Sequence, residues 1–159
     1  MLGLSVNTRM IGMAVMKDNT LEDYYISLRK EAWTPAKKEK ILTIIKSWLT
    51  TYKITNVALA KPYENQSTQQ IKELLESVKT LINEQEISVH TYDHQTIYLF
   101  CESDQSKTKK NAMKELSRHY PELSRHYQKE MRNKNKYYVK LFEAVALANV
   151  HSKELQQRQ

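Results

Sequence analysis

The first sixteen residues constrain the fold of this chain more than any other stretch. Leu2, Leu4 and Val6 alternate with the small residues Gly3 and Ser5, the period-two pattern of a buried strand. A short polar turn, Asn7-Thr8-Arg9, follows, and Met10 to Met16 reads as a second strand. Gly12 lies inside that strand, where side chains crowd or the backbone must pass closely. The chain has only 2 glycines, Gly3 and Gly12, and both fall in this hairpin. That excludes a glycine-rich phosphate loop and a dinucleotide fingerprint.

The later segments extend the hairpin into a mixed α/β domain. Leu21 to Leu28 supplies a third strand. Thr34-Pro35 is a helix start, and Ile41, Ile44, Ile45, Trp48, Leu49 and Tyr52 follow at helical spacing, which predicts a helix over 35–53. Ile54 to Ala60 is a short apolar strand. Ser67 or Thr68 caps a second helix, with its stripe of Ile71, Leu74, Leu75, Val78, Leu81 and Ile82, and Ile87 to Tyr92 is the last strand. Beyond it the chain reads as helical: a short helix over 94–102, another from Lys107 to Tyr120, and a final one from Tyr137 to His151 that is apolar nearly all round. The pentapeptide Leu-Ser-Arg-His-Tyr occurs at 116–120 and again at 123–127, with Pro121 placing a break between the copies. Polar residues from Ser152 predict a fraying tail. The expected organisation is one domain over 1–151, with 105–136 a basic helical insertion before the last helix, and a tail over 152–159.

Charge is distributed unevenly. The net charge is +7; residues 105–140 carry 11 Lys/Arg against 3 Asp/Glu, and the rest of the chain is close to neutral. A basic stretch of this kind is the electrostatic footprint of a phosphate-backbone binder, and it is equally the footprint of a solvated helical surface. The candidate nucleic-acid contacts are Arg9, Lys107, Lys109, Lys110, Lys114, Arg118, Arg125, Lys129, Arg132, Lys134 and Lys136. Tyr120, Tyr127, Tyr137 and Tyr138 interleave with them, either as stacking platforms for bases or as packing residues. His119 and His126 lack a third metal ligand of matching spacing. Cys101 is the only cysteine, which reads as a core thiol and excludes an intramolecular disulfide. No apolar run approaches the roughly 18–20 residues of a membrane span, and the N-terminus has no signal-peptide pattern, so a cytoplasmic protein without membrane contact is expected.

The first hairpin resembles that of the RuvC-like Holliday-junction resolvases and their YqgF-like relatives, which belong to the RNase H-like superfamily. Their motif reads L-G-[IL]-D-P-G-[ST]-R-x-x-G-x-A-[VI], and Leu2, Gly3, Leu4, Thr8, Arg9, Gly12, Ala14 and Val15 fit it. The resemblance implies a mixed five-stranded sheet flanked by helices, with the first strand central. It also implies nucleic acid as partner, a possible homodimer, and a nuclease centre in which carboxylates hold two divalent cations.

At the positions that would carry those carboxylates the chain departs from the family. Ser5 replaces the aspartate of the first strand. The run Val57-Ala-Leu-Ala-Lys61-Pro62-Tyr63 places Lys61 at the acid of the fourth strand. On the last helix, Lys140-Leu-Phe-Glu143-Ala-Val-Ala-Leu-Ala-Asn-Val-His151 keeps Glu143 but replaces the other acid by Lys140. A divalent cation would be repelled from such a set. Three readings are open. The old centre is a packed or salt-bridged corner in which Lys61 or Lys140 pairs with Glu143; or the lysines bind a phosphate; or Glu64, Asp93 and Glu102 have been recruited as replacement acids. The expected function is nucleic-acid binding without metal-dependent cleavage and without a cofactor, magnesium being required only if the site proves active. A protein-interaction module on the same scaffold and a nuclease with a rearranged site are the alternatives.

Overall fold

A computed structural model of the chain describes residues 1–63, 65, 67–133 and 136–158, so the candidates Glu64 and Lys134 lie outside the described residues. Five strands, β1 (Leu2–Val6), β2 (Met10–Lys17), β3 (Thr20–Leu28), β4 (Asn56–Ala60) and β5 (Ser88–Tyr92), form one sheet in the order β3-β2-β1-β4-β5. The β1-β2-β3 meander is antiparallel, while β4 and β5 join parallel to β1. The mixed sheet with β1 at its centre is the one the family resemblance implies.

Side-chain alternation divides the core into two layers. Leu2, Leu4, Val6, Ile11, Met13 and Val15 point to one face, where α1 (Pro35–Thr51) and α2 (Gln69–Glu84) cover them. Both helices begin at a threonine whose hydroxyl accepts from the third residue on: Thr34 from the Lys37 N–H, and Thr68 from the Ile71 N–H. Ala14 and Met16 alternate to the opposite face, and across a register shift at Val15/Met16 Leu21 of β3 joins them there, against α3 (Lys109–His119) and α5 (Val139–Gln157).

The glycines explain how α5 sits. A Cβ on Gly3 would fall 1.9 Å from the Ala144 carbonyl oxygen, and one on Gly12 would fall 2.2 Å from that of Lys140. The helix backbone therefore rests directly on β1 and β2, which is why the hairpin carries small residues on this side.

Several predicted elements shift in detail. The 94–102 helix is a 3₁₀ helix, His94–Phe100. The helix predicted to start at Lys107 starts at Lys109, because the Thr108 hydroxyl accepts from the Asn111 N–H and so fixes the start. Pro121 does break the duplicated segment: a 3₁₀ turn, Pro121–Leu123, separates α3 from α4 (Ser124–Arg132). A buried carboxylate replaces the missing side-chain cap of α5, since Glu130 accepts from the Tyr137 and Tyr138 N–H groups at 2.8 and 2.7 Å, at the positive end of the helix.

The tail is a correction. Residues from Ser152 do not fray but continue α5 to Gln157. The reason is a tertiary clasp. The Tyr92 hydroxyl donates to Glu154 Oε2 at 2.6 Å and lies 2.7 Å from Nδ1 of the fully buried His151. With the Tyr92 hydroxyl donating to Glu154, Nδ1–H of His151 is the donor to Tyr92, which leaves the buried Nε2 without a partner among the described residues.

Burial, with the neighbouring His90 adding to it, pushes His151 from its ordinary 6.5 down to about 4. Above pH 6.5 both folded and unfolded chains keep this ring neutral. Between pH 6.5 and about 4 the unfolded chain takes up a proton that the fold refuses, so stability falls as pH falls. The loss should reach about 2–3 kcal/mol near pH 4. Urea unfolding at pH 7 and pH 4.5 should show this part of the pH dependence absent in His151→Asn; equal pH slopes in the two proteins would contradict it.

Candidate functional site

The corner implied by the family alignment forms where α5 crosses the end of β1. Ser5 pairs across the hairpin with Gly12 and points toward α5. Its hydroxyl donates to Glu143 Oε2 at 2.9 Å in a buried bond. Lys140, one turn earlier on α5, reaches the same oxygen at 3.4 Å. Ser5, Lys140 and Glu143 are thus brought together, and of the two lysines able to pair with Glu143 it is Lys140 that does so. Lys61 is not drawn in. It follows β4 directly, its N–H donates to the Tyr92 carbonyl at 2.8 Å, and its side chain is exposed with no ion pair among the described residues.

Three further groups, Lys109, Tyr63 and His94, join the corner. Lys109, expected in the outer basic stretch, stands over the Tyr63 ring with its Nζ 4.3 Å from the centroid, and Lys140 Nζ lies 5.5 Å from the same ring. His94 stacks against Tyr63 at 4.1 Å. Burial lowers the Lys109 ammonium below its ordinary range and Lys140 lowers it further, while Glu143 acts in the opposite sense. Burial, followed by the Glu143 carboxylate, raises the Tyr63 phenol. The Tyr63 hydroxyl and Glu143 Oε1 are both buried without a well-formed hydrogen bond among the described residues.

This donor set is a poor match for a divalent cation. A two-metal centre needs several oxygen anions; the corner holds Glu143, already engaged by a hydroxyl and an ammonium, with a second ammonium over the adjoining Tyr63 ring, and the neighbouring Asp93 is engaged as the cap of the 3₁₀ helix. The gap between Glu143, Asp93, His94 and Leu147 is too tight for a water molecule. Among the described residues no three His, Cys, Asp or Glu side chains cluster so as to hold a metal ion. Of the recruited acids considered, Asp93 caps the 3₁₀ helix by accepting from the Gln95 N–H, and Glu102 is solvent-exposed.

The basic candidates lie mainly on α3, α4 and the segments beside them. Lys107, Lys110, Lys114, Arg118, Arg125, Lys129, Arg132 and Lys136 are exposed, and Lys109 is half-buried. Arg118 pairs with Glu115 at 2.6 Å. Arg9 is exposed at the β1–β2 turn, whose Asn7 side chain accepts from the Arg9 and Met10 N–H groups. The tyrosines divide. Tyr120 is buried, its hydroxyl taken by Asn149 at 2.6 Å, so it packs rather than stacks on a ligand. Tyr127 and Tyr138 are half-buried against the second core layer, and Tyr138 and Tyr24 both contact the His126 ring. His126, lowered by burial and then by Lys129 and Arg125, is held by the Tyr24 hydroxyl at 3.0 Å. His119 is exposed, and Cys101 is half-buried at the edge of that layer.

With this geometry the chain was compared with known proteins. No protein-family model and no curated sequence matches it. Solved structures do. RuvC of Thermus thermophilus in complex with a Holliday-junction substrate superposes with a TM-score of 0.73 at 12% identity, over 98% of this chain and 94% of that one. A second Thermus thermophilus RuvC structure gives 0.72 at 13% identity, over 99% and 97%. The fowlpox virus resolvase bound to Holliday-junction DNA gives 0.57 at 13% identity, over 96% and 98%. The fold is therefore RuvC-like, a mixed five-stranded sheet flanked by helices. Among the described residues no helix is long and apolar enough to cross a membrane.

Proposed function

We propose that this chain, on a fold shared with Holliday-junction resolvases, binds nucleic acid electrostatically and does not cleave it with divalent metal ions. The observation that carries the reading is the positive charge at the end of β1: Lys140, at a position where the family resemblance implies an acid, lies on Glu143, and a second ammonium, Lys109, stands over the adjoining Tyr63. Exposed cations on α3 and α4, with Arg9, supply a surface for phosphates, and their charge is the excess of the whole chain. Two of the similar structures hold Holliday junctions, so a four-way junction is the first probe to test, and a homodimer is the assembly to look for.

Neutralising about 4–6 phosphates would give a duplex salt slope on the order of −4 to −5. Fluorescence anisotropy at two salt concentrations reads that slope, and Lys107→Glu, Lys110→Glu and Lys114→Glu combined, all at exposed side chains, should weaken binding with the fold intact, whereas Lys109 is half-buried over Tyr63 and is left in place. Calorimetry with Mg²⁺ or Mn²⁺ should give no site-specific heat, and junction DNA should stay uncut. Stoichiometric metal binding lost in Glu143→Gln would instead establish a rearranged nuclease. Failure to bind any DNA or RNA probe at micromolar concentration would transfer the reading to a protein-interaction module.

A further inference from the structure

One concavity of the molecule combines hydrogen-bonding groups, an aromatic ring and an exposed apolar side chain, and it adjoins the corner described above, with Asp93 between the two. It encloses about 730 Å³ beside the 3₁₀ helix His94–Phe100 and is lined by Asp93, Gln95, Thr96, Tyr98, Leu99 and Lys107. That volume is within the roughly 300–1,000 Å³ range of small-molecule sites. The three-residue repeat of a 3₁₀ helix sorts its side chains into rows. His94, Ile97 and Phe100 turn toward the body of the domain, where His94 stacks on Tyr63, Ile97 is buried and Phe100 packs on the second core layer. Thr96 and Leu99 fall in another row. Leu99 is 70% exposed, the only large hydrophobic side chain so exposed among the described residues. No packing requirement explains a leucine there, since its own helix already anchors through Ile97.

We propose that this cleft receives an unpaired nucleobase of the bound nucleic acid, with Leu99 and Tyr98 against the base and Asp93, Gln95 and Thr96 at its hydrogen-bonding edge. The proposal rests on the nucleic-acid-binding reading and adds the form of substrate to it. The chemistry of the lining selects the occupant. The lining carries one anion, Asp93, and one cation, Lys107, and so has no net charge to attract a phosphate, whereas a base offers amino groups and carbonyls that a carboxylate, an amide, a hydroxyl and an ammonium can meet. An apolar side chain beside such a cleft holds a base out of its stack. The basic side chains that would track the backbone follow at once in the chain, from Lys107 through Lys109 and Lys110 into α3.

The test uses the full chain and two fluorescein-labelled duplexes that differ only by a single bulged adenine. The bulged duplex should bind about tenfold more tightly, the scale of one base stacked on side chains. With 2-aminopurine as the bulged base, its fluorescence should report transfer out of the stack on binding. Leu99→Ser should remove the preference and keep the affinity for the paired duplex; being exposed, the position tolerates the change, which circular dichroism verifies. Equal binding of the two probes, or a preference that survives in Leu99→Ser combined with Gln95→Ala, overturns the cleft assignment and leaves the binding reading standing. Binding to neither probe rejects both.

Discussion

Replacing Gly12 or Gly3 by alanine should destabilise the protein by about 3 kcal/mol or more, a large part of the roughly 5–15 kcal/mol that holds an ordinary domain folded. In an unconstrained strand the same change would stabilise by roughly 0.4–1 kcal/mol, through the entropy of the unfolded chain. The sign reverses here because the added methyl meets backbone, not a side chain able to turn away: the Ala144 carbonyl oxygen at 1.9 Å for Gly3 and the Lys140 carbonyl oxygen at 2.2 Å for Gly12. Relief requires α5 to lift from the sheet. That would open the second core layer around Phe142, Val145 and Ala148 and separate Ser5 from Glu143. Urea denaturation of the two variants gives the magnitude. Unchanged or increased stability in both would show that α5 does not press on this hairpin.

The second large effect concerns the lysine that covers Glu143. Lys140→Ala should cost on the order of 3–5 kcal/mol, the penalty for leaving a buried carboxylate without its counter-charge. Glu143 is only 4% exposed, and it would keep a single hydrogen bond, from Ser5. Lys109 stands nearby and softens the loss, which places the expected value toward the lower end. Glu143→Gln should be far milder, because a neutral amide can still accept from Ser5. The double variant Lys140→Ala/Glu143→Gln should recover most of what Lys140→Ala loses. A thermodynamic cycle of unfolding free energies measures the coupling. If it is near zero, the two groups are independent and the lysine does not stabilise the buried acid. The same cycle bears on function, since this pair occupies the position where the proposed loss of metal chemistry is read.

The sequence by itself determined those features that depend on near neighbours along the chain. Strand alternation in Leu2, Leu4 and Val6 set which face of β1 meets α1 and α2, and the caps at Thr34 and Thr68 set where those helices begin. Pro121 fixed the break between α3 and α4 because its ring cannot continue the helix. Gly12 announced crowding or a close backbone passage without saying what approaches. The three-residue spacing of Lys140 and Glu143 put them on one helix face, so their pairing was legible as a possibility.

Only the tertiary structure decided between partners far apart in the chain. Ser5 and Glu143 are 138 residues apart, and their hydrogen bond exists because α5 lies across β1. Spacing could not choose between Lys61 and Lys140 as the counter-ion; the exit direction of β4, tied by the Lys61 N–H to Tyr92, leaves Lys61 in solvent. Nor could composition separate Lys109 from the other lysines of the basic stretch. Its burial over Tyr63 follows from the Thr108 cap, which starts α3 beside the ring. The polar tail was misread for the same reason. Residues 152–157 have no apolar stripe of their own to announce a docked helix, and they are held by Tyr92, His151 and Glu154, whose contact spans the chain from β5 to the end of α5.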